Sequence, residues 1–265
     1  MIEINTPLEH HPEFGLWVKR EDLCCPGGPN FSKTRGVYAH VASRHEEVIG
    51  VLDTAHSQGG WAVAKACHLL NKGCIVFYPV RKREHNQPLK PQQQTAKELG
   101  ADLIRLKAGR SAVLYHGAKK CLKPTAYMMP NALKLMESVE ETALEVVRTR
   151  IPSSFQTIVV PASSGTIAAG VVRGAAMVGW QGTIIIHIGY SRPEGALLRY
   201  VQRMAGNSMG VTIKVVDENY SYADEARVGE TPPWPCNTYY DLKSFRWWLA
   251  QGRQRYGQAL FWNIG

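Results

Sequence analysis

No run in this 265-residue chain is long and apolar enough to cross a bilayer. The longest apolar runs, such as Ile184-Ile185-Ile186 and Ile158-Val159-Val160, are strand-sized, against the roughly 20 residues a spanning helix needs. Met1-Ile2-Glu3-Ile4-Asn5 lacks a basic region followed by an apolar core, so no secretory leader and a cytoplasmic location are expected. The cysteines Cys24, Cys25, Cys67, Cys74, Cys121 and Cys236 form neither a CxxC pair nor a zinc-like spacing. They read as reduced thiols, and no metal site is expected. The histidines are scattered, and His10-His11 reads as a solvated pair. There is no internal repeat or low-complexity tract. A Gly-Lys-Ser/Thr loop and a GxGxxG fingerprint are both missing, which argues against nucleoside triphosphates and dinucleotides.

Acidic residues are also scarce. Against 31 Lys plus Arg stand 22 Asp plus Glu, a net charge of +9. Basic residues gather at Arg81-Lys82-Arg83, at Lys119-Lys120 with Lys123, and at Arg253 and Arg255. A polyanionic partner and simple solubility charge both account for this.

At 45% hydrophobic, the chain can build one large or two smaller cores. From residue 48 onward strand-like runs alternate with helical ones: Val48–Leu52, a helix from Gln58 to Leu70, Cys74–Tyr78, a helix ending at Leu99-Gly100, and Asp102–Leu106. A second series runs Thr157–Val160, a helix from Thr166 to Val178, Thr183–Ile188 and Val211–Val216. Pro124, Pro130 and Pro152 bracket a helical stretch from Leu135 to Arg150. This βα rhythm predicts an α/β protein of two lobes, residues 1–45 with 151–265 as the larger and 46–150 as the smaller. Nine aromatics between Trp234 and Trp262 mark the tail. Either a buried helix and strand or an aromatic lining for a base-sized substrate fits them.

Four segments carry chemistry. Lys33 lies between the turn-forming Pro26-Gly27-Gly28-Pro29-Asn30 and a helix predicted from Thr34 to Arg44. Helix-start N–H groups there favour an anion and a depressed lysine pKa, which suit a nucleophilic amine. Ser163, Ser164, Gly165 and Thr166 join an apolar strand to a helix, as a phosphate cradle or a plain tight turn. Asp53 to Gly60, with Thr54, His56, Ser57 and Gln58, occupies the corresponding place in the first series, where anion binding and ordinary helix capping compete. Asp241 precedes a helix predicted from Leu242 to Arg255, and a capping role alone would suit it.

Together these segments resemble fold-type II pyridoxal-phosphate enzymes, nearest to the aminocyclopropane-carboxylate deaminase and D-cysteine desulfhydrase branch. Trp17-Val18-Lys19-Arg20-Glu21-Asp22-Leu23 with Ser32-Lys33-Thr34-Arg35 is similar to the branch's KREDL…NKxR segment. The resemblance implies that Lys33 is the Schiff-base lysine and that pyridoxal 5′-phosphate is the cofactor, held in a cleft between the lobes. It makes Thr54 to Gly59 the substrate-carboxylate loop, with Gln58 where the family has asparagine, and Ser163 to Thr166 the phosphate loop. Tyr240-Asp241-Leu242-Lys243-Ser244 is similar to Tyr-Glu-Gly-Lys-Ser, which places Asp241 at the pyridine nitrogen and Tyr240 at the substrate. Asn263-Ile264-Gly265 stands where the family has a Thr-Gly-Gly-like turn, so the sequence reads as a shortened version.

The reaction implied is that of a lyase at Cα, passing through a quinonoid. The branch points to a deaminase or desulfhydrase of a small free amino acid. The basic charge, aromatic tail and compact chain resemble instead phage-encoded pyridoxal-phosphate enzymes that tailor amino-acid groups on thymine in DNA. That favours decarboxylation of a modified thymine, with modified DNA as partner and the host cytoplasm as location. A homodimer is expected, and no membrane.

Overall fold

A computed structural model describes residues 2–54, 56–81, 87–152, 154–193, 195–206 and 208–265. Lys82 and Arg83 of the first basic run, and Ala55 of the carboxylate loop, lie outside the described residues. No helix among them is long and apolar enough to cross a membrane.

The chain divides into two compact units, residues 1–32 with 138–265 and residues 33–137. These limits differ from the seams at 45 and 150 for a packing reason. Helix α1 (Thr34–Ala42) packs on α2 (Gly59–Leu69) and so belongs with the second unit. Helix α5 (Met136–Thr149) lies close against α6 (Thr166–Met177). A Cβ on Gly170 or Gly174 would come within 2.4 Å of Thr142 or 2.5 Å of Val146.

In the second unit, strands β3 (Val48–Leu52), β4 (Gly73–Val80), β5 (Asp102–Lys107) and β6 (Tyr127–Met128) form a parallel sheet ordered β5-β4-β3-β6. Helix α2 packs on β3 and β4 and touches α1 and α3 (Pro91–Glu98). Gly100 follows α3 with φ +90, the left-handed position a glycine best tolerates. Helix α4 (Ser111–Cys121), which has no counterpart in the sequence reading, lies on the sheet through Leu114, Tyr115 and Ala118.

The first unit is built on a six-stranded sheet. It contains β1 (Leu8–His11), β2 (Leu16–Arg20), β7 (Thr157–Ala162), β8 (Gly182–Ile188), β9 (Val211–Val216) and β10 (Ala259–Asn263), ordered β1-β2-β10-β7-β8-β9. All neighbours are parallel except β1 with β2. The central strands are continuous apolar runs because both faces are covered. Ile158, Val160, Ile184 and Ile186 join one core cluster with α6 and α7 (Ala196–Ala205). The alternate residues Val159, Ile185 and Phe261 join the other with Phe245 and Trp248.

The tail's aromatics are core. Trp234, Phe245, Trp247, Trp248, Phe261 and Trp262 are buried, and Trp248 Nε1 donates to the Phe14 carbonyl at 2.9 Å. This settles the tail as a buried helix and strand and corrects the base-lining expectation. The single helix expected from Leu242 to Arg255 is α8 (Asp241–Trp247), a π-helical turn at Trp248–Gly252 and α9 (Arg253–Tyr256). Gly252 is tight against the Trp248 ring, where a Cβ would come within 2.6 Å. His10, exposed, and His11, half-buried, belong to strand β1 rather than to a flexible segment, and His10 stacks on Trp17 at 4.4 Å.

Candidate active site

In the second unit, Lys33 immediately precedes α1 and is 8% exposed. Nζ donates to the carbonyls of Ala132 at 2.9 Å and Leu133 at 3.3 Å. Both carbonyls belong to a turn with left-handed φ values of +59 and +48. Non-glycine residues adopt that region at a cost of roughly 1–3 kcal/mol each, most often where function requires it. The Leu133 side chain lies close to Gly59, where a Cβ would be 3.2 Å from Cδ1. The turn therefore brings Lys33 and the head of α2 together.

That head carries the Thr54–Gln58 loop, whose described residues are half-buried. Ser57 Oγ accepts the Gly59 N–H at 3.0 Å, which engages the hydroxyl oxygen and leaves its proton to donate. Gln58 is the N-cap residue of α2. Asp53, just before the loop, is buried and accepts the Gly60 N–H at 3.1 Å. Burial pushes its carboxyl up to about 7, opposed by the N–H donors of Gly60 and Thr54. Asp53 fixes the loop's exit, a role the sequence reading did not assign.

In the first unit, β7 leads into Ser163, Ser164, Gly165 and Thr166, the last being the first residue of α6. Gly165 has φ +88, and a Cβ there would be 2.6 Å from Leu197 Cδ1. Only glycine makes this turn without strain. Ser164 Oγ and Thr166 Oγ1 are 3.0 Å apart, and Tyr200 OH is 3.1 Å from Thr166 Oγ1. The N–H groups opening α6 have no partner within the helix and suit a phosphate. Tyr240 hydrogen-bonds Ser163, and burial keeps its phenol neutral by raising its pKa. Gly189 makes room for the Tyr240 ring, since a Cβ would approach it to 2.5 Å. Its carbonyl accepts Lys243 Nζ at 2.6 Å.

Asp241 is fully buried in the first turn of α8. Oδ1 accepts the Ile264 N–H at 2.7 Å, while Oδ2 has no hydrogen-bond partner among the described residues. Desolvation pushes the carboxyl up to about 7, the nearby Asp22 charge raises it further, and the Ile264 N–H opposes them. The Asp22 carboxylate takes Arg20 in a fork at 3.0 and 2.8 Å and Asn263 Nδ2 at 2.9 Å. Lys19 is buried against Glu145 at 2.8 Å and donates to the Thr6 carbonyl at 2.6 Å. Arg20 and Asp22 of the Lys-Arg-Glu-Asp segment thus lie beside Asp241, whereas Lys19 ties Thr6 to Glu145. Asn263 belongs with Arg20 and Asp22.

The orphaned Oδ2 tests the fit of pyridoxal phosphate. A dry carboxyl with one oxygen lacking a donor matches a ring nitrogen that carries a proton. The phosphate would be held by Ser163 to Thr166, and Lys33, one of the buried amines, would bond the aldehyde. These chemistries on parallel α/β sheets define a fold-type II pyridoxal-phosphate enzyme.

The profile of the pyridoxal-phosphate dependent enzymes matches residues 1–234, and the chain belongs to that family, with pyridoxal 5′-phosphate as its cofactor. The chain is 47% identical, over the whole length of both proteins, to the glycyl-dTMP PLP-dependent decarboxylase of Pseudomonas phage M6. Among solved structures it resembles an ACC deaminase homologue, with TM-score 0.82 and 20% identity over 100% of this chain and 90% of the other. It also resembles a fungal L-serine ammonia-lyase from Rhizomucor miehei, with TM-score 0.69 and 13% identity over 99% and 93%. At these identities the likeness carries the fold alone.

Proposed function

We propose that this protein removes carbon dioxide from an amino-acid group carried on a thymine base in DNA. The observation that carries the reading is the full-length 47% identity to the phage glycyl-dTMP decarboxylase. When bound, pyridoxal phosphate supplies an aldehyde for an amine and a ring that takes up the electron pair left at Cα. Lys33 would hold that aldehyde through its ε-amine and, as a free amine, would deliver to Cα the proton that replaces the departing carboxylate. Asp241 would keep a proton at the ring nitrogen, Ser163 to Thr166 would hold the phosphate, and Tyr240 would face the substrate.

Thr54, His56, Ser57 and Gln58 receive the substrate carboxylate. The described loop offers hydroxyl, imidazole and amide groups and no Lys or Arg. That favours decarboxylation, because a strong cationic clamp would stabilise the ground-state carboxylate and lose its attraction as neutral carbon dioxide leaves. The host cytoplasm is the proposed setting.

The test is mass spectrometry of thymidine DNA bearing an amino-acid group after incubation with reconstituted enzyme, beside free D- and L-amino acids. The expected product is the DNA nucleoside lighter by one carbon dioxide. Ammonia or sulfide release from free amino acids, with the DNA unchanged, overturns the reading.

A further inference from the structure

The net charge of +9 is not shared between the two compact units. Residues 33–137 hold 17 Lys plus Arg against 7 Asp plus Glu, a net of +10. Residues 1–32 with 138–265 hold 14 against 15, a net of −1. Charge placed only for solubility has no reason to avoid the larger unit. Within the basic unit there is no acidic residue between Asp102 and Glu137, while seven Lys or Arg fall in that interval.

The interval covers the end of β5, helix α4 and the segment after it. Helix α4 is sided: Leu114, Tyr115 and Ala118 face the sheet, whereas Val113, His116, Lys119 and Lys120 are exposed, and Lys123, also exposed, follows two residues after the helix ends. Lys107 and Arg110, also exposed, precede the helix. None of Lys107, Arg110, Lys119, Lys120 and Lys123 has an ion-pair partner among the described residues.

Helix electrostatics explains only part of this. Lysines in the last turn complement the helix dipole, but Arg110 is the N-cap residue and no acid lies in the first turn, so this end is cationic against the dipole's preference. Cations at both ends of an exposed helix fit an external polyanion. An 11-residue helix is about 16 Å long, and duplex alongside it carries roughly ten phosphate charges.

We infer that the outer face of α4, with Lys107 and Arg110, is where the DNA backbone docks. The inference rests on the reading of a DNA-borne substrate, and it makes α4 a sequence-independent phosphate contact that delivers modified thymines to the enzyme.

The test compares wild-type holoenzyme with the variant Arg110→Ala/Lys119→Ala/Lys120→Ala/Lys123→Ala on duplex and single-stranded DNA over a salt series. The control Arg150→Ala/Arg255→Ala removes exposed cations of the near-neutral unit. If all four side chains meet phosphates, the log–log salt slope becomes shallower by about 3.6 on duplex, and by less on single strands. kcat/KM on modified DNA falls in parallel, while activity on the free modified mononucleotide and cofactor content stay within about twofold. An unchanged slope in the quadruple variant, or an equal loss in the control, overturns the docking face. Failure of wild-type enzyme to release carbon dioxide from either DNA or mononucleotide overturns the decarboxylase reading instead, and leaves the binding result standing.

Discussion

Replacing Asp241 with asparagine separates the structural cost of this acid from its chemical use. The carboxyl is fully buried, donates or accepts nothing at Oδ2 among the described residues, and is pushed from an ordinary 3.8 up to about 7, chiefly by desolvation. A folded-state value above the unfolded one means that folding favours the protonated acid. Its contribution is complete below about pH 4 and is lost as pH rises through about 7. Between about pH 5 and pH 8 the loss amounts to roughly 2–3 kcal/mol for this one group. Asp53 is raised in the same direction but is common to both proteins and cancels in the comparison. Urea denaturation of the cofactor-free proteins, followed by tryptophan fluorescence, measures the difference, because six of the seven tryptophans lie in the unit that holds Asp241. The wild type should lose roughly 2–3 kcal/mol more than Asp241→Asn over that range. Bound pyridoxal phosphate should narrow the gap, and the variant should bind it more weakly by about 10- to 100-fold, as expected for a lost charge-assisted hydrogen bond. Equal pH dependence in the two cofactor-free proteins would refute both the burial argument and the placement of this acid.

Lys33→Ala should lose activity by at least the roughly 10²–10⁴-fold that a positioned acid–base supplies, and borohydride reduction followed by peptide mapping should find no pyridoxyl tag at position 33. A tag on another lysine of the wild type refutes the assignment. Gly165→Ala forces a side chain into φ +88 and against Leu197; a stability loss of about 1–3 kcal/mol and weaker cofactor binding are expected by calorimetry and absorbance titration. Glu145→Ala strands the buried Lys19 and removes the acceptor for the N–H groups of Asn5 and Thr6. It should cost about 3–5 kcal/mol in urea denaturation, and a cost below about 1 kcal/mol would show that the network is solvated.

The sequence disclosed the parts whose physics is local. Strands such as Val48–Leu52 and Val211–Val216 were legible at their observed limits, the first as a short apolar run and the second by alternation of apolar with polar residues. The loops at Ser163 and Thr54 were legible as the turns that join such apolar runs to helices. What stayed hidden depends on distant partners. Strand β2 reads as polar at Lys19 and Arg20, and its burial depends on Glu145 and Asp22 as counter-charges, the first of them more than a hundred residues away. The Ala132-Leu133 turn carries no glycine or asparagine at its left-handed positions, so nothing local announces the carbonyls that receive Lys33. Asp241 could be named from its motif, but that the Ile264 N–H just after β10 satisfies one oxygen while the other has no partner among the described residues depends on the fold. The charge divides in the same way. Every lysine and arginine was visible from the start, yet +10 against −1 emerges only after helix packing has set the unit limits at Lys33 and Glu137. The chemistry of the site is therefore written in short segments, whereas its electrostatics is written in the assembly of those segments, and the two sets of variants above test these levels separately.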